Sequence, residues 1–97
     1  MLRGGFKKSD GPSPADLQEV SAEFLKTELQ TGITFADLAL SAKHKDRRER
    51  NTANARKAYD TALRFMDTVS PTPEIDADLN DRLQHLRAQL EKLGETI

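Results

Sequence analysis

The most regular pattern of this sequence is a row of aliphatic side chains in the last quarter of the chain, spaced by four and three residues. The row comprises Ile75, Leu79, Leu83, Leu86, Leu90, Leu93 and Ile97. Such steps put about one side chain per turn on a single helical face, and a face that is apolar along its whole length has to be buried. No apolar–polar alternation of four or more residues competes with it. The sequence therefore predicts an all-α fold.

The N-terminal half contains two candidate helix starts. Pro14 suits the first position of a helix, and the apolar stripe that follows it ends before Gly32, a residue typical of helix C-termini. This predicts a first helix over about residues 14–30. Thr34 then precedes a short apolar stripe that ends at Ala42, which is the pattern of a capped second helix.

The next helix boundary is ambiguous, because no Gly or Pro interrupts residues 33–70. One helix over 34–69 is chemically allowed, but it would be about 54 Å long and its middle would bury almost nothing. The alternative is a turn at Lys43–Lys45, followed by a helix that starts at Asp46 with Glu49 as its capping-box partner. We favour the turn, which predicts four helices where the single long helix predicts three.

The last helix has a clear start and a weak end. Thr72 is placed as its N-cap and Pro73 as its first residue, whereas Gly94 predicts a fraying final turn. The predicted architecture is a small up-down bundle of three or four amphipathic helices. It occupies residues 13–97 as a single domain, and residues 1–12 are predicted to be a flexible tail.

Several kinds of chemistry lack the residues they need. The chain has no Cys and two His, and it lacks the motifs of nucleophilic elbows, phosphate-binding loops and zinc proteases. Asp81 and His85 stand four residues apart, but such a pair is more typical of a helix surface than of a metal site. We therefore expect a protein that is not an enzyme and needs no metal or cofactor.

The location of the protein follows from further missing features. No apolar run approaches the ~20 residues that a membrane span requires, so we expect no membrane partner. The N-terminus has basic residues but no apolar core of a secretory signal. A chain without Cys suits a reducing compartment, and we expect a cytoplasmic protein.

The charge is unevenly distributed although the net charge is only −1. Residues 43–57 carry seven Lys or Arg against two acids. The candidate patch for an anionic partner comprises Arg47, Arg48, Arg50 and Lys57. Two acids interrupt the run, no aromatic residue is available to stack on a base, and the sequence pI is near 6.1. Nucleic acid is therefore the less favoured partner.

The leucine row is the favoured interface. The shorter stripes of the preceding helices are Ala-rich and offer little apolar surface to cover it, so part of the row is predicted to remain for another chain. The predicted interface residues are Leu79, Leu83, Leu86, Leu90 and Leu93. The function predicted from them is non-catalytic protein–protein interaction, with self-association as its main form.

One segment resembles a known repeat family. Ala55, Tyr59 and Ala62 follow one another by four and three residues, as in the second helix of a tetratricopeptide-type repeat, and the helix ending at Ala42 stands for the first. The resemblance covers about 35 residues, although the chain has no second copy and an overlong connection. The helix pair is also similar to that of microtubule-interacting-and-transport three-helix bundles. Both resemblances imply a helical hairpin that holds a peptide or helix without catalysis.

Overall fold

The computed structural model describes residues 14–67, 69 and 72–97, and describes side chains from residue 22 onward. Three helices account for most of them: α1 over Pro14–Ser41, α2 over Lys45–Met66 and α3 over Pro73–Lys92. No strand occurs among the described residues, which confirms the all-α prediction. The tail predicted over residues 1–12 lies outside the described residues.

α1 runs through Gly32 without a break, so the predicted helix end near residue 30 and new start at Thr34 are wrong. The Thr34 hydroxyl donates to the carbonyl of Gln30 one turn earlier, at 3.1 Å, as a residue inside a helix does. Gly32 is needed for packing: a Cβ at this position would lie 2.6 Å from Leu86 Cδ2 and 3.0 Å from Ala58 Cβ. The glycine thus lets α2 and α3 approach α1 at one point.

The turn between α1 and α2 is confirmed, and it consists of Ala42, Lys43 and His44. α2 nevertheless begins earlier than Asp46, because His44 occupies the N-cap position and makes no side-chain capping bond. The predicted Asp46 capping box is therefore wrong, and Asp46 lies in the first turn, where its charge complements the helix dipole. With this turn present and the break at Gly32 missing, the bundle has three helices.

Polar contacts define the direction of α3. Arg82 donates to Gln30 at 2.6 Å, and Gln89 donates to Asp37. Both pairs are 52 residues apart, so α3 runs parallel to α1 and antiparallel to α2, as an up-down bundle requires. The side chain of Gln89 is 6% exposed, and its Oε1 has no hydrogen-bond partner among the described residues.

The core lies where the three helices meet. α1 contributes a stripe of small and aliphatic residues at steps of three and four, and α2 contributes three alanines and a tyrosine. The largest completely buried side chains are Leu25, Leu29, Leu79, Leu86 and Leu90. Because the facing residues of α1 and α2 are small, the helices approach closely and cover the leucine row of α3.

α3 starts as predicted. Thr72 is its N-cap and accepts a hydrogen bond from the backbone N–H of Ile75 at 3.3 Å, and Pro73 opens the helix. α2 ends at Met66, slightly before the predicted boundary at Val69. Val69, in the connection between α2 and α3, is partly buried and packs against the core.

The end of α3 differs from the predicted fraying. Gly94 has a φ of +90°, and its N–H bonds to the carbonyl of Glu91 at 3.0 Å. The N–H of Glu95 bonds to the carbonyl of Leu90, also at 3.0 Å. This pair of bonds is a Schellman motif, which satisfies carbonyls at the helix end. Gly94 therefore terminates the helix in an ordered way and directs the C-terminal residues back toward α2.

Candidate functional site

The leucine row predicted as an interface lies inside the fold. Leu79, Leu86 and Leu90 have no exposed surface, Leu83 is 8% exposed, and Leu93 is partly buried against the core. The row is therefore used for packing within the chain, which corrects the expectation that it is left for a partner. The Ala-rich stripes of α1 and α2 are sufficient to cover the row. Because their side chains are small, the backbones of these helices can approach α3 closely and bury its leucines.

A second row of apolar side chains is exposed, on α1. Phe24, Phe35 and Leu38 are separated by steps of eleven and three residues, which place them on one face of the helix, and Ala42 follows in the turn. Phe24 is 43% and Leu38 is 48% exposed, whereas Phe35 is half-buried. About 21 Å separate the two exposed side chains along the helix axis. Phe24 and Leu38 are thus two separate exposed apolar side chains on one face of α1, with the half-buried Phe35 between them.

α2 forms the other side of the same surface. Phe65 packs its ring edge-on against Phe24, with ring centroids 5.8 Å apart. Near the turn, Leu38 and Ala42 line a recess of about 320 Å³ together with Arg47 and four other residues. No residue of α3 lines this recess. We call the surface the hairpin face, comprising Phe24, Phe35 and Leu38 of α1, Ala42 of the turn, and Arg47, Asn51 and Phe65 of α2.

A larger recess of about 920 Å³ lies along another side of α2 and reaches the C-terminal residues. We call it the α2 groove. Five basic side chains line it, accompanied by three carboxylates, two threonines and two aliphatic residues. The basic residues are Lys45, Arg48, Arg56, Lys57 and Arg64. The groove is therefore polar, with an excess of positive charge.

Arg56 connects the groove to the C-terminal residues. Its Nε donates to Asp60 at 3.1 Å, and its Nη1 donates to the Glu95 carboxylate at 3.1 Å and to the Thr96 carbonyl at 3.0 Å. The hydrogen bond to Asp60 raises the pKa of Arg56, and Glu95 adds to this effect. One guanidinium thus holds two carboxylates and a carbonyl, a use of the planar fork that Lys cannot reproduce.

The predicted anionic-partner patch is divided between surfaces. Arg48 and Lys57 line the α2 groove, Arg47 lines the recess of the hairpin face, and Arg50 is exposed but lines neither recess. Neighbouring residues of a helix point in directions about 100° apart, so a basic run in sequence is not one surface. Arg64 also lines the α2 groove, but it was not predicted because it lies seven residues beyond the basic run.

The described part of the chain contains neither a candidate metal site nor a candidate membrane-spanning helix. Among its residues, no group of three or more His, Cys, Asp or Glu is placed to hold a metal ion. His85 and Asp81 do share a shallow recess, as their spacing suggests. None of the described helices is long and apolar enough to cross a membrane.

The chain was compared with protein-family models, curated proteins and solved structures, and none of them matches it. The resemblance to tetratricopeptide-type and microtubule-interacting-and-transport helix pairs therefore stays a prediction.

Proposed function

We propose that this chain is a non-catalytic helical interaction module that associates with a second copy of itself through the hairpin face. The observation that carries the proposal is the exposure of two large apolar side chains on one face of the hairpin, Phe24 and Leu38, each more than two fifths exposed. Two antiparallel helices with such a face offer a partner helix apolar anchors at helical spacing. The proposal replaces the leucine row of α3 with a surface that is accessible in the fold.

A second copy fits this surface by shape. Two hairpins packed face to face bury both apolar rows and form a four-helix arrangement, which is a common solution for helical domains. A two-fold axis makes one self-complementary patch serve both chains, so no second partner surface is required. The rows are long enough, at about 21 Å, to give four turns of contact per helix.

Charge also favours the antiparallel arrangement of two copies. The turn end of the hairpin carries Lys43, His44 and Arg47. At the opposite end, Glu28 follows Phe24 by one helical turn, and Asp67 follows Phe65 by two residues. A two-fold axis across the middle of the face brings the basic end of one copy to the acidic end of the other. Such complementarity selects the orientation more than it adds affinity.

The test is a Leu38→Glu substitution examined by sedimentation equilibrium. A charge placed within an apolar contact has to be desolvated, and in the two-fold arrangement the carboxylate introduced at position 38 would face the acidic end of the other copy, so we expect self-association to weaken by at least about tenfold. Leu63→Glu is the matched control, because Leu63 is 42% exposed on α2 but lines neither recess. A wild-type chain that stays monomeric, or equal loss in both variants, would contradict the proposal.

The α2 groove supports a second candidate function, which is binding of nucleic acid or another anionic partner. Arg48 and Lys57 of the predicted patch line this groove, together with three further cations. Phosphate contacts by Lys and Arg release counterions, so binding would weaken steeply as salt is added. A titration with a single-stranded oligonucleotide at low and high salt tests this candidate. A lack of salt-dependent binding would end it for nucleic acid.

The remaining expectations follow from the same interpretation. A docking module requires neither metal nor cofactor. Ser41 and His44 both line the hairpin-face recess, but the Ser41 hydroxyl donates to the backbone carbonyls of Asp37 and Leu38 instead of to the imidazole. A chain with no Cys is suited to a reducing compartment, so we propose that the module acts in the cytoplasm.

A further inference from the structure

We infer that the α2 groove binds an acidic peptide helix of another protein, whose carboxylates pair with Lys57 and Arg64. The inference rests on the second candidate function, because it names the class of anionic partner. It does not depend on self-association through the hairpin face, which lies on a different side of α2.

Lys57 and Arg64 line the groove without an ion-pair partner among the described residues. The acids of the groove are already paired: Asp60 and Glu95 bind Arg56, and Glu49 lies 4.0 Å from Lys45. Two cations on one side of a helix, with their acidic neighbours otherwise engaged, attract an external anion.

Lys57 and Arg64 have the spacing of two helical turns. The groove follows α2 from Lys45 to Arg64, which is about 28 Å along the helix axis. Lys57 and Arg64 are seven residues apart, or about 10.5 Å, and their directions around α2 differ by only about 20°. Carboxylates two turns apart on a partner helix have the same spacing of about 10.5 Å. A helix laid along α2 can therefore place one acid opposite each of these two cations.

The residues after α3 form one wall of the groove and contain one carboxylate. They return to α2, where Arg56 binds the side chain of Glu95 and the backbone carbonyl of Thr96. Leu93 lines the groove beside them and packs partly against the core. This side of α2 thus already binds a carboxylate next to an aliphatic side chain, which is the chemistry that an acidic amphipathic peptide offers.

A peptide fits these residues better than a nucleic acid does. Glu49, Asp60 and Glu95 would oppose a continuous row of phosphates, whereas peptide carboxylates can be spaced to avoid them. None of the residues that line the groove is aromatic, so a base would find no ring on which to stack. The threonines and aliphatic residues between the cations instead suit the side chains of a peptide.

The experiment measures fluorescence polarisation of three labelled probes with the full chain. The probes are a helical peptide of about 20 residues with Glu two turns apart and Leu beside them, the same peptide with Gln for Glu, and a single-stranded oligonucleotide. We expect the acidic peptide to bind, and the Lys57→Glu/Arg64→Glu variant to bind it at least about tenfold more weakly. Lys57→Gln/Arg64→Gln, which only removes the charges, serves as a milder second variant.

The matched control is Lys43→Glu/Arg47→Glu, which reverses two charges that line the hairpin-face recess instead of the groove. Its peptide affinity should change by less than about twofold. The inference is overturned if the acidic peptide does not bind, if the Gln peptide binds equally well, or if the control loses as much affinity. Tighter binding of the oligonucleotide would overturn it in favour of a nucleic acid partner. The Leu38→Glu variant should bind the acidic peptide as tightly as the wild type. Self-association through the hairpin face and peptide binding in the α2 groove can therefore be refuted separately.

Discussion

Replacing Leu86 with alanine lowers the free energy of unfolding by about 2–5 kcal/mol, as expected for a completely buried leucine. Its side chain lies at the point where Gly32 and Ala58 bring α1 and α2 together. Those helices are already in close contact there, so they cannot move inward to fill the cavity. Urea denaturation followed by the helical circular-dichroism signal measures the loss.

The control for this prediction is Ile75→Ala. Ile75 belongs to the same periodic row but is 39% exposed, so its truncation should cost less than about 1 kcal/mol. Similar small losses for both variants would contradict the placement of the leucine row in the core. Leu86→Glu, by contrast, should prevent folding, which is why an interface has to be tested at an exposed residue such as Leu38.

Substituting valine for Gly32 lowers the free energy of unfolding by about 3 kcal/mol, and alanine lowers it by less. Helix propensity alone would favour alanine by about 1 kcal/mol, because glycine is a poor residue for a helix interior. The added Cβ, however, would lie 2.6 Å from Leu86 Cδ2, and the completely buried Leu86 has little space to move away. We therefore expect the steric cost to exceed the gain in propensity.

A double-mutant cycle separates these two effects. In the Leu86→Ala background, Gly32→Ala should cost less than in the wild type, because the atom in closest contact has been removed. The contact with Ala58 Cβ remains in both backgrounds and serves as an internal reference. Strictly additive costs would show that Gly32 does not contact Leu86 in the folded chain.

Local sequence signals predicted a helix boundary correctly where that boundary depends only on residues within about one turn. Thr72 and Pro73 predicted the start of α3 correctly, because a capping hydroxyl and a proline act within one turn. The turn after α1 was also predicted near its observed place. The capping-box pattern of Asp46 and Glu49 placed the start of α2 two residues too late, since the N-cap is His44, which makes no side-chain capping bond.

Gly32 shows where local signals fail. Followed by a possible cap at Thr34, it had the pattern of a helix C-terminus, yet α1 continues through it. A glycine serves equally well at a left-handed C-cap and at a close helix contact, because both need the missing Cβ. Only the positions of Leu86 and Ala58, 54 and 26 residues further along the chain, distinguish the two uses.

The candidate surfaces were predictable only in part. The contact between Arg56 and Asp60, one turn apart on α2, could have been inferred from spacing. The bond from Arg56 to Glu95, 39 residues away, could not. The hairpin face was missed because the apolar stripes before Gly32 and after Thr34 were both predicted to be buried, whereas Phe24 of the first and Leu38 of the second are exposed.

The sequence by itself determined that the chain is helical and that α3 must bury one side. It did not determine what covers that side, because the hydrophobic effect has no direction and accepts any apolar surface that excludes water. The tertiary structure assigned the leucine row to α1 and α2 of the same chain, left Phe24 and Leu38 exposed, and distributed the basic residues over several sides of α2. Those choices depend on contacts between residues far apart in the chain, which periodicity does not encode.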